Sequence, residues 1–146
     1  MTSGRADRRV VDRHLIALRA SLAALRRHAG ASAGALRADS DRRWAVERGL
    51  QLCAQYALDI ASHIGSAAGF DPHTYGSSID CLIRADVLPQ AFGERFRAVA
   101  GFRNVLVHGY LEVDLDRIAT MLAEELDDFD EFARHVERWL ADPSNT

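Results

Sequence analysis

The chain has 146 residues, 48% of them hydrophobic, and a formal net charge of −3 at pH 7. This length fits one domain, residues 1–146, and can bury about 68–70% of the unfolded chain's surface, enough for a core without disulfide or metal staples. The composition excludes a disordered chain. No apolar run reaches the ~18 residues of a membrane span, and the net acidity argues against nucleic-acid binding over the whole surface.

The cysteines and the N-terminus indicate where the protein resides. The first residues are rich in arginine but lack the apolar stretch of a signal peptide. Cys53 and Cys81 lie within apolar helical patterns, so we expect buried free thiols. Reduced thiols are typical of a cytoplasmic protein.

Charge is divided unevenly between the two parts of the chain. Residues 1–50 contain 11 arginines and 5 acidic residues, whereas residues 51–146 contain 7 arginines and 16 acidic residues, and lysine is absent. The basic first part could attract a phosphate backbone locally. The alternative is that Arg5, Arg8, Arg9 and Arg13 form a solvated helix face.

Two long amphipathic helices are predicted in the first half of the chain. One runs from about residue 7 to 28, and the other begins at an N-cap, Asp39 or Ser40, with a short helical turn near residues 35–38 between them. Their apolar residues recur every three or four positions. These are Val11, Leu15, Leu18, Leu22 and Leu25 in the first, and Val46, Leu50, Cys53, Ala57, Ile60 and Ile64 in the second.

The second helix also carries polar residues of interest. Asp59 and His63 lie four residues apart, so their side chains can touch. A structural role, or one that supports site residues without touching the substrate, is favoured over a metal site, because no third ligand is evident and no metal is expected. Glu47 and Arg48 receive no role from the sequence.

The remaining helices complete an all-α fold. A short helix is predicted near residues 75–84, a fourth from about 90 to 108, and a last one from an N-cap at Asp114 to about Leu140. The last helix has an acidic face, which we expect to be solvated, although it could mimic phosphate or meet the basic first part of the chain. Because no β pattern of useful length occurs, we expect an up-down bundle of four to five helices.

The fourth helix contains a break in its own pattern. Its apolar seam follows steps of four and three, and Arg103 occupies a position where the pattern requires a hydrophobic residue. Asn104 and His108 lie four apart, beside that seam, and Gly109 is a plausible helix end. The members of the seam are Phe92, Phe96, Val99, Arg103, Leu106 and Tyr110. A guanidinium and an imidazole near one helix end indicate a functional site.

Two structural explanations compete with a functional one. Arg103 could be a buried arginine paired with a carboxylate of another helix, and His108 could favour the negative end of the helix dipole. The spacing alone does not name a reaction.

The run Arg103-Asn104-x3-His108-Gly109-Tyr110 resembles the R-x4-H-x-Y motif of the HEPN superfamily, and more narrowly that of HepT-type ribonuclease toxins. The helix over residues 45–64 is similar to the second helix of that family, and the resemblance covers about residues 8–140. It implies a HEPN-like domain that cuts tRNA or mRNA, with Arg103 and His108 as catalytic residues and Asn104 in support. It also implies a homodimer and a nucleotidyltransferase antitoxin that adds AMP to Tyr110, as in type VII-like pairs.

The chemistry of these side chains fits that reaction. RNA supplies its own nucleophile, the ribose 2′-hydroxyl, so a nuclease without metal or cofactor needs a proton acceptor, a proton donor and a cation. Histidine titrates near neutral pH and suits the first two tasks. Arginine can bind phosphate oxygens through two donors and stabilise the charge that develops.

Two other functions remain open at this stage. One is a non-catalytic helical module that binds a nucleotidyltransferase or a nucleotide, which the net acidity favours. The other is a metal-carboxylate bundle, which is disfavoured because the Glu-x-x-His repeat of such proteins is missing.

Overall fold

The computed structural model describes residues 5–71, 73–108 and 114–145. These ranges contain helices, turns and loops and no strand, so the predicted all-α fold is confirmed for the part described. The helices are α1 (Arg8–Arg26), α2 (Ala33–Ala38), α3 (Ser40–Ala67), α4 (Tyr75–Arg84), α5 (Gln90–Phe96), α6 (Ala98–His108), α7 (Leu115–Thr120), a π-helical segment (Met121–Glu125), α8 (Leu126–Ala141) and a 3₁₀ turn (Pro143–Asn145).

Helices α1 and α3 form an antiparallel pair. The amide of Asp7, the N-cap of α1, donates to Nε2 of His63 near the end of α3 (3.0 Å). At the other end, a Cβ added to Gly49 of α3 would lie 2.7 Å from Cδ2 of Leu25. The glycine therefore allows the two backbones to approach closely.

The predicted apolar stripes of both helices are buried, each residue being at most 4% exposed. Asp39 proves to be the N-cap of α3, since its side chain accepts from the Arg42 amide (3.1 Å). Aromatic rings fill the core on the other side of the bundle. Phe96 stacks on Phe132 of α8, with 4.8 Å between ring centroids.

Two predicted helices are interrupted in the structure. The fourth one divides at Arg97, whose guanidinium donates to Asp80 of α4. Arg97 keeps helical dihedrals (φ −56°, ψ −28°) and its amide donates to the Gly93 carbonyl (2.9 Å), so the helical path continues across the break.

The last predicted helix, which begins at Asp114 as expected, contains the π-helical segment. Both Met121 and Leu122 are buried there. Glu125, the last residue of the segment, forms an ion pair with Arg117 of α7 although the two are eight residues apart. Apolar periodicity over the whole helix did not reveal this local widening.

We expected the acidic face of the last helix to be solvated, but several of its carboxylates form ion pairs with arginines of other helices. Arg26 of α1 pairs with Asp127 (2.9 Å) and Asp130, and Arg19 pairs with Glu137. The alternative, in which the acidic face meets the basic first part of the chain, therefore applies to Asp127 and Asp130, and Glu137 adds a third pair outside the predicted face. Arg95 of α5 pairs with Asp128 (3.2 Å) and Glu131 (3.5 Å).

Both cysteines are buried and unbridged, as predicted. Among the helices that the structure describes, none has the length and apolar character required to cross a membrane.

Candidate functional site

Helix α6 carries the motif arginine at the edge of the core. The seam that leads to it is buried, with Phe92 at 4%, Phe96 at 1% and Val99 at 7% exposure. Arg103 is half-buried, and Asn104 is exposed. The predicted break in the pattern is thus confirmed, since the charged side chain of Arg103 continues the apolar stripe of Phe92, Phe96 and Val99.

Arg103 is bonded to helix α3. Its Nε donates to Oε1 of Gln55 (3.0 Å), and Nε2 of the same Gln55 donates to Oδ1 of Asp59 (2.7 Å). The bond that the structure shows for Arg103 is to an amide and not to the carboxylate of the structural explanation, and the amide in turn connects Arg103 to Asp59. Gln55 was not singled out from the sequence, where the one sign of its contact is its position four residues before Asp59.

Asp59 connects this chain of bonds to α1. Its Oδ2 lies 4.0 Å from Nε2 of His14, and Nδ1 of His14 donates to the Val10 carbonyl (2.8 Å). The His14 ring also lies edge-on to Tyr56 of α3, with 6.2 Å between centroids. We name the four side chains Arg103, Gln55, Asp59 and His14 the polar relay.

The predicted contact between Asp59 and His63 does not form. His63 accepts the Asp7 amide at the start of α1, whereas Asp59 belongs to the polar relay. No group of three His, Cys, Asp or Glu side chains suited to hold a metal ion occurs in the described ranges. Glu47 lies 3.8 Å from Arg43, and Arg48 donates to Gln51 (3.2 Å).

Helix α7 supports α6 next to the motif. The Arg117 guanidinium lies 5.6 Å from the ring centroid of Phe102, the residue before Arg103. Its hydrogen bond to Glu125 raises the pKa of Arg117 above the usual arginine value. The charged guanidinium is attracted to the aromatic face, which favours the approach of α6 to α7 at this point.

The other motif residues are only partly described. Helix α6 reaches His108, but the His108 side chain, the predicted helix end at Gly109 and all of Tyr110 lie outside the described residues. Their expected convergence with Arg103 stays a prediction.

Solved structures define the class of the fold. A toxin–antitoxin complex with AMP-PNP gives a TM-score of 0.79 at 20% identity, covering 88% of this chain and 98% of that one. The tri-AMPylated HEPN toxin of Shewanella oneidensis in complex with MNT antitoxin gives a TM-score of 0.79 at 21% identity, and the match covers 88% of this chain and 97% of that one. YutE, a cytosolic protein of unknown function from Bacillus subtilis, gives a TM-score of 0.79 at 19% identity, and the match covers 94% of this chain and 92% of that one. The chain therefore has the all-α fold of HEPN toxins.

Sequence comparison assigns the family. The profile of the Ribonuclease HepT-like family matches residues 18–136, so the chain belongs to that family. It is also 30% identical over 84 residues to the mRNA nuclease HepT of Shewanella oneidensis, a match that covers 57% of this chain and 63% of that relative. The matched region is thus less than two thirds of the relative's length.

Proposed function

We propose that this protein is the endoribonuclease toxin of a type VII-like toxin–antitoxin pair, acting in the cytoplasm on mRNA or tRNA. The observation that carries the proposal is Arg103, a charged side chain that replaces a hydrophobic residue of the α6 seam and is held by a hydrogen bond from its Nε. His108 lies five residues later on the same helix. Membership of the HepT-like family and the similarity to an mRNA nuclease support the same function.

The proposed reaction uses the ribose 2′-hydroxyl as the nucleophile. One His108 imidazole accepts the 2′-hydroxyl proton while a new bond forms between O2′ and phosphorus. The bond from phosphorus to O5′ breaks, and a second protonated imidazole donates a proton to O5′. Arg103 binds the non-bridging oxygens, where negative charge increases in the transition state.

Two imidazoles require two subunits, because each chain supplies one His108 at the motif. A two-fold dimer places the same patch of both subunits face to face, so it brings two copies of Arg103 and His108 to one cleft. We therefore propose a homodimer, with the exposed Asn104 contacting RNA or orienting His108 one turn further along α6.

Regulation is proposed to act through Tyr110. A nucleotidyltransferase partner would transfer AMP to its phenolic oxygen. Each AMP adds bulk and negative charge beside a cleft that must accept phosphates, so like-charge repulsion and steric exclusion both oppose RNA binding. The solved structure of an AMPylated toxin with its MNT antitoxin supports this mode of control in a protein of the same fold.

The test is cleavage of mRNA and tRNA by the purified protein in excess EDTA. We expect cleavage that persists with EDTA and falls at least ~100-fold in Arg103→Ala and His108→Ala. Matched controls are Arg138→Ala, at an exposed position of α8, and His73→Ala, whose side chain is 82% exposed in a loop.

Equal cleavage by His108→Ala would contradict the proposal. An inactive wild-type chain that still binds a nucleotidyltransferase would favour the non-catalytic module instead. Mass spectrometry after co-expression with that partner should find added AMP on the peptide containing Tyr110, and AMP on another residue would refute the proposed site.

A further inference from the structure

The polar relay links the motif arginine to two other helices through side chains that the R-x4-H-x-Y motif does not include. Arg103 lies on α6, Gln55 and Asp59 on α3, and His14 on α1. The two bonds that join Arg103 to Asp59 measure 3.0 Å and 2.7 Å, and both are partly buried. Partial burial strengthens such bonds, because less water competes for the donors.

The side chains of the relay differ in whether they can donate or accept hydrogen bonds. A guanidinium only donates hydrogen bonds and an ionised carboxylate only accepts them, whereas a glutamine amide does both. The Asp59 carboxylate therefore fixes which end of the Gln55 amide points toward it. The amide oxygen is then directed to Arg103 Nε, as the distances show.

The carboxylate also lies close to α1. The Val10 carbonyl can only accept, so Nδ1 of His14 carries the proton in their 2.8 Å contact. Nε2 of His14 lies 4.0 Å from Oδ2 of Asp59, beyond hydrogen-bond distance, whereas Oδ1 accepts from Gln55. The two hydrogen bonds thus connect α3 to the Arg103 side chain on α6.

We propose that Gln55 and Asp59 are positioning residues that hold the Arg103 guanidinium in the plane needed to bind the scissile phosphate. This inference rests on the proposed ribonuclease function. An arginine side chain has several rotatable bonds, and a bond at Nε restrains the orientation of the whole planar group. Misplacement by about 1 Å can cost roughly 100-fold in rate.

The first experiment compares Gln55→Ala with a matched control, Gln51→Ala. Gln51 lies one turn earlier on α3, is also half-buried, and is bonded to Arg48. We expect Gln55→Ala to lower kcat for RNA cleavage about 10–100-fold, with a smaller change in KM. Gln51→Ala should change kcat by less than about threefold, and both variants should melt at similar temperatures. Equal kcat values for the two variants would overturn the proposal.

The second experiment reverses the donors and acceptors of the relay. In Gln55→Glu the new carboxylate faces Asp59, so repulsion should separate them and lower kcat. Adding Asp59→Asn supplies an amide that donates to the carboxylate at position 55. That carboxylate can also accept from Arg103. The double variant keeps the size and the total charge of the wild-type pair. The kcat of the double variant should be at least threefold higher than that of Gln55→Glu alone. No recovery would count against the relay, since a merely structural role gives no reason for rescue.

A third readout is independent of catalysis. In ¹⁵N NMR spectra, the Arg103 Nε–H signal is assigned by its absence from Arg103→Lys. Its hydrogen exchange should be slow in the wild type and in Gln51→Ala, and at least ~10-fold faster in Gln55→Ala, because the hydrogen bond protects it. Unchanged exchange in Gln55→Ala would refute the relay even if RNA is cut. Slow exchange in a wild-type protein that cuts no RNA would refute only the ribonuclease function.

Discussion

Burial of the Cys53 thiol raises its pKa to about 12, because the thiolate would lose its hydration inside the helix pair. In the unfolded chain the thiol ionises near its ordinary value, ~8.5. Between these values the folded state holds one more proton than the unfolded state. The free energy of unfolding therefore decreases as pH rises through this window, by about 1.4 kcal/mol per pH unit from this group.

Urea unfolding of the wild type and Cys53→Ala, from about pH 8 to about pH 11, measures this effect. The alanine variant loses some packing at every pH, but the difference between the two proteins should shrink as pH rises. A difference that stays constant across the range would show that Cys53 ionises equally in both states. Tyrosines and arginines that titrate at high pH cancel in the comparison.

Single residues of the candidate site differ in how far the sequence could predict them. Arg103 was predictable, because a charged residue at a buried helical position is visible in the spacing alone. Gln55 was not, since its role depends on which face of α3 packs against α6, and this is decided by tertiary contacts. Asp59 was singled out, but for a bond to His63 that the structure replaces with one to Gln55.

At the scale of helices, apolar periodicity predicted the elements and their buried faces. It did so because the core selects one face of each helix, as the stripes of α1 and α3 show. Local changes in hydrogen bonding were not predictable. The divided helix at Arg97 and the π-helical segment from Met121 to Glu125 preserve the apolar spacing around them, so the pattern carries no sign of either.

Two helical glycines give a matched test of helix packing. A Cβ added at Gly49 of α3 would lie 2.7 Å from Cδ2 and 2.9 Å from Cγ of Leu25, whereas one added at Gly101 of α6 has nothing within 4 Å. Alanine is favoured over glycine in a helix by roughly 0.5–1 kcal/mol. We expect Gly101→Ala to raise the free energy of unfolding by about that amount. Gly49→Ala should lower it by about 1–3 kcal/mol, because the added methyl group overpacks the contact with Leu25.

Urea unfolding of both variants measures the two free energies of unfolding. Because both substitutions add the same methyl group to a helix, a difference in sign isolates the approach of α1 to α3. Stabilisation by Gly49→Ala would mean that Leu25 moves aside readily, and that the two helices are less closely packed than the structure indicates.

At the scale of the whole molecule, part of the uneven charge of the sequence is compensated by ion pairs between its two parts. Arg19 and Arg26 of the basic first part meet Glu137, Asp127 and Asp130 of the acidic last helix. The sequence showed the imbalance, but the pairing followed only from how α1 and α8 pack. Surface pairs of this kind each contribute about 0–1 kcal/mol, so they align the two helices more than they stabilise the fold.

The proposed dimer makes a prediction that a monomeric enzyme does not. Because the reaction needs two imidazoles in one cleft, a dimer of one wild-type chain and one His108→Ala chain should be nearly inactive. When equal amounts exchange subunits at random, about a quarter of the dimers are wild-type pairs, so cleavage should fall to about a quarter of that of wild type at the same total concentration. Mixing with Arg138→Ala should leave it unchanged. Cleavage at about half, as expected when each subunit holds a complete site, would refute the shared cleft.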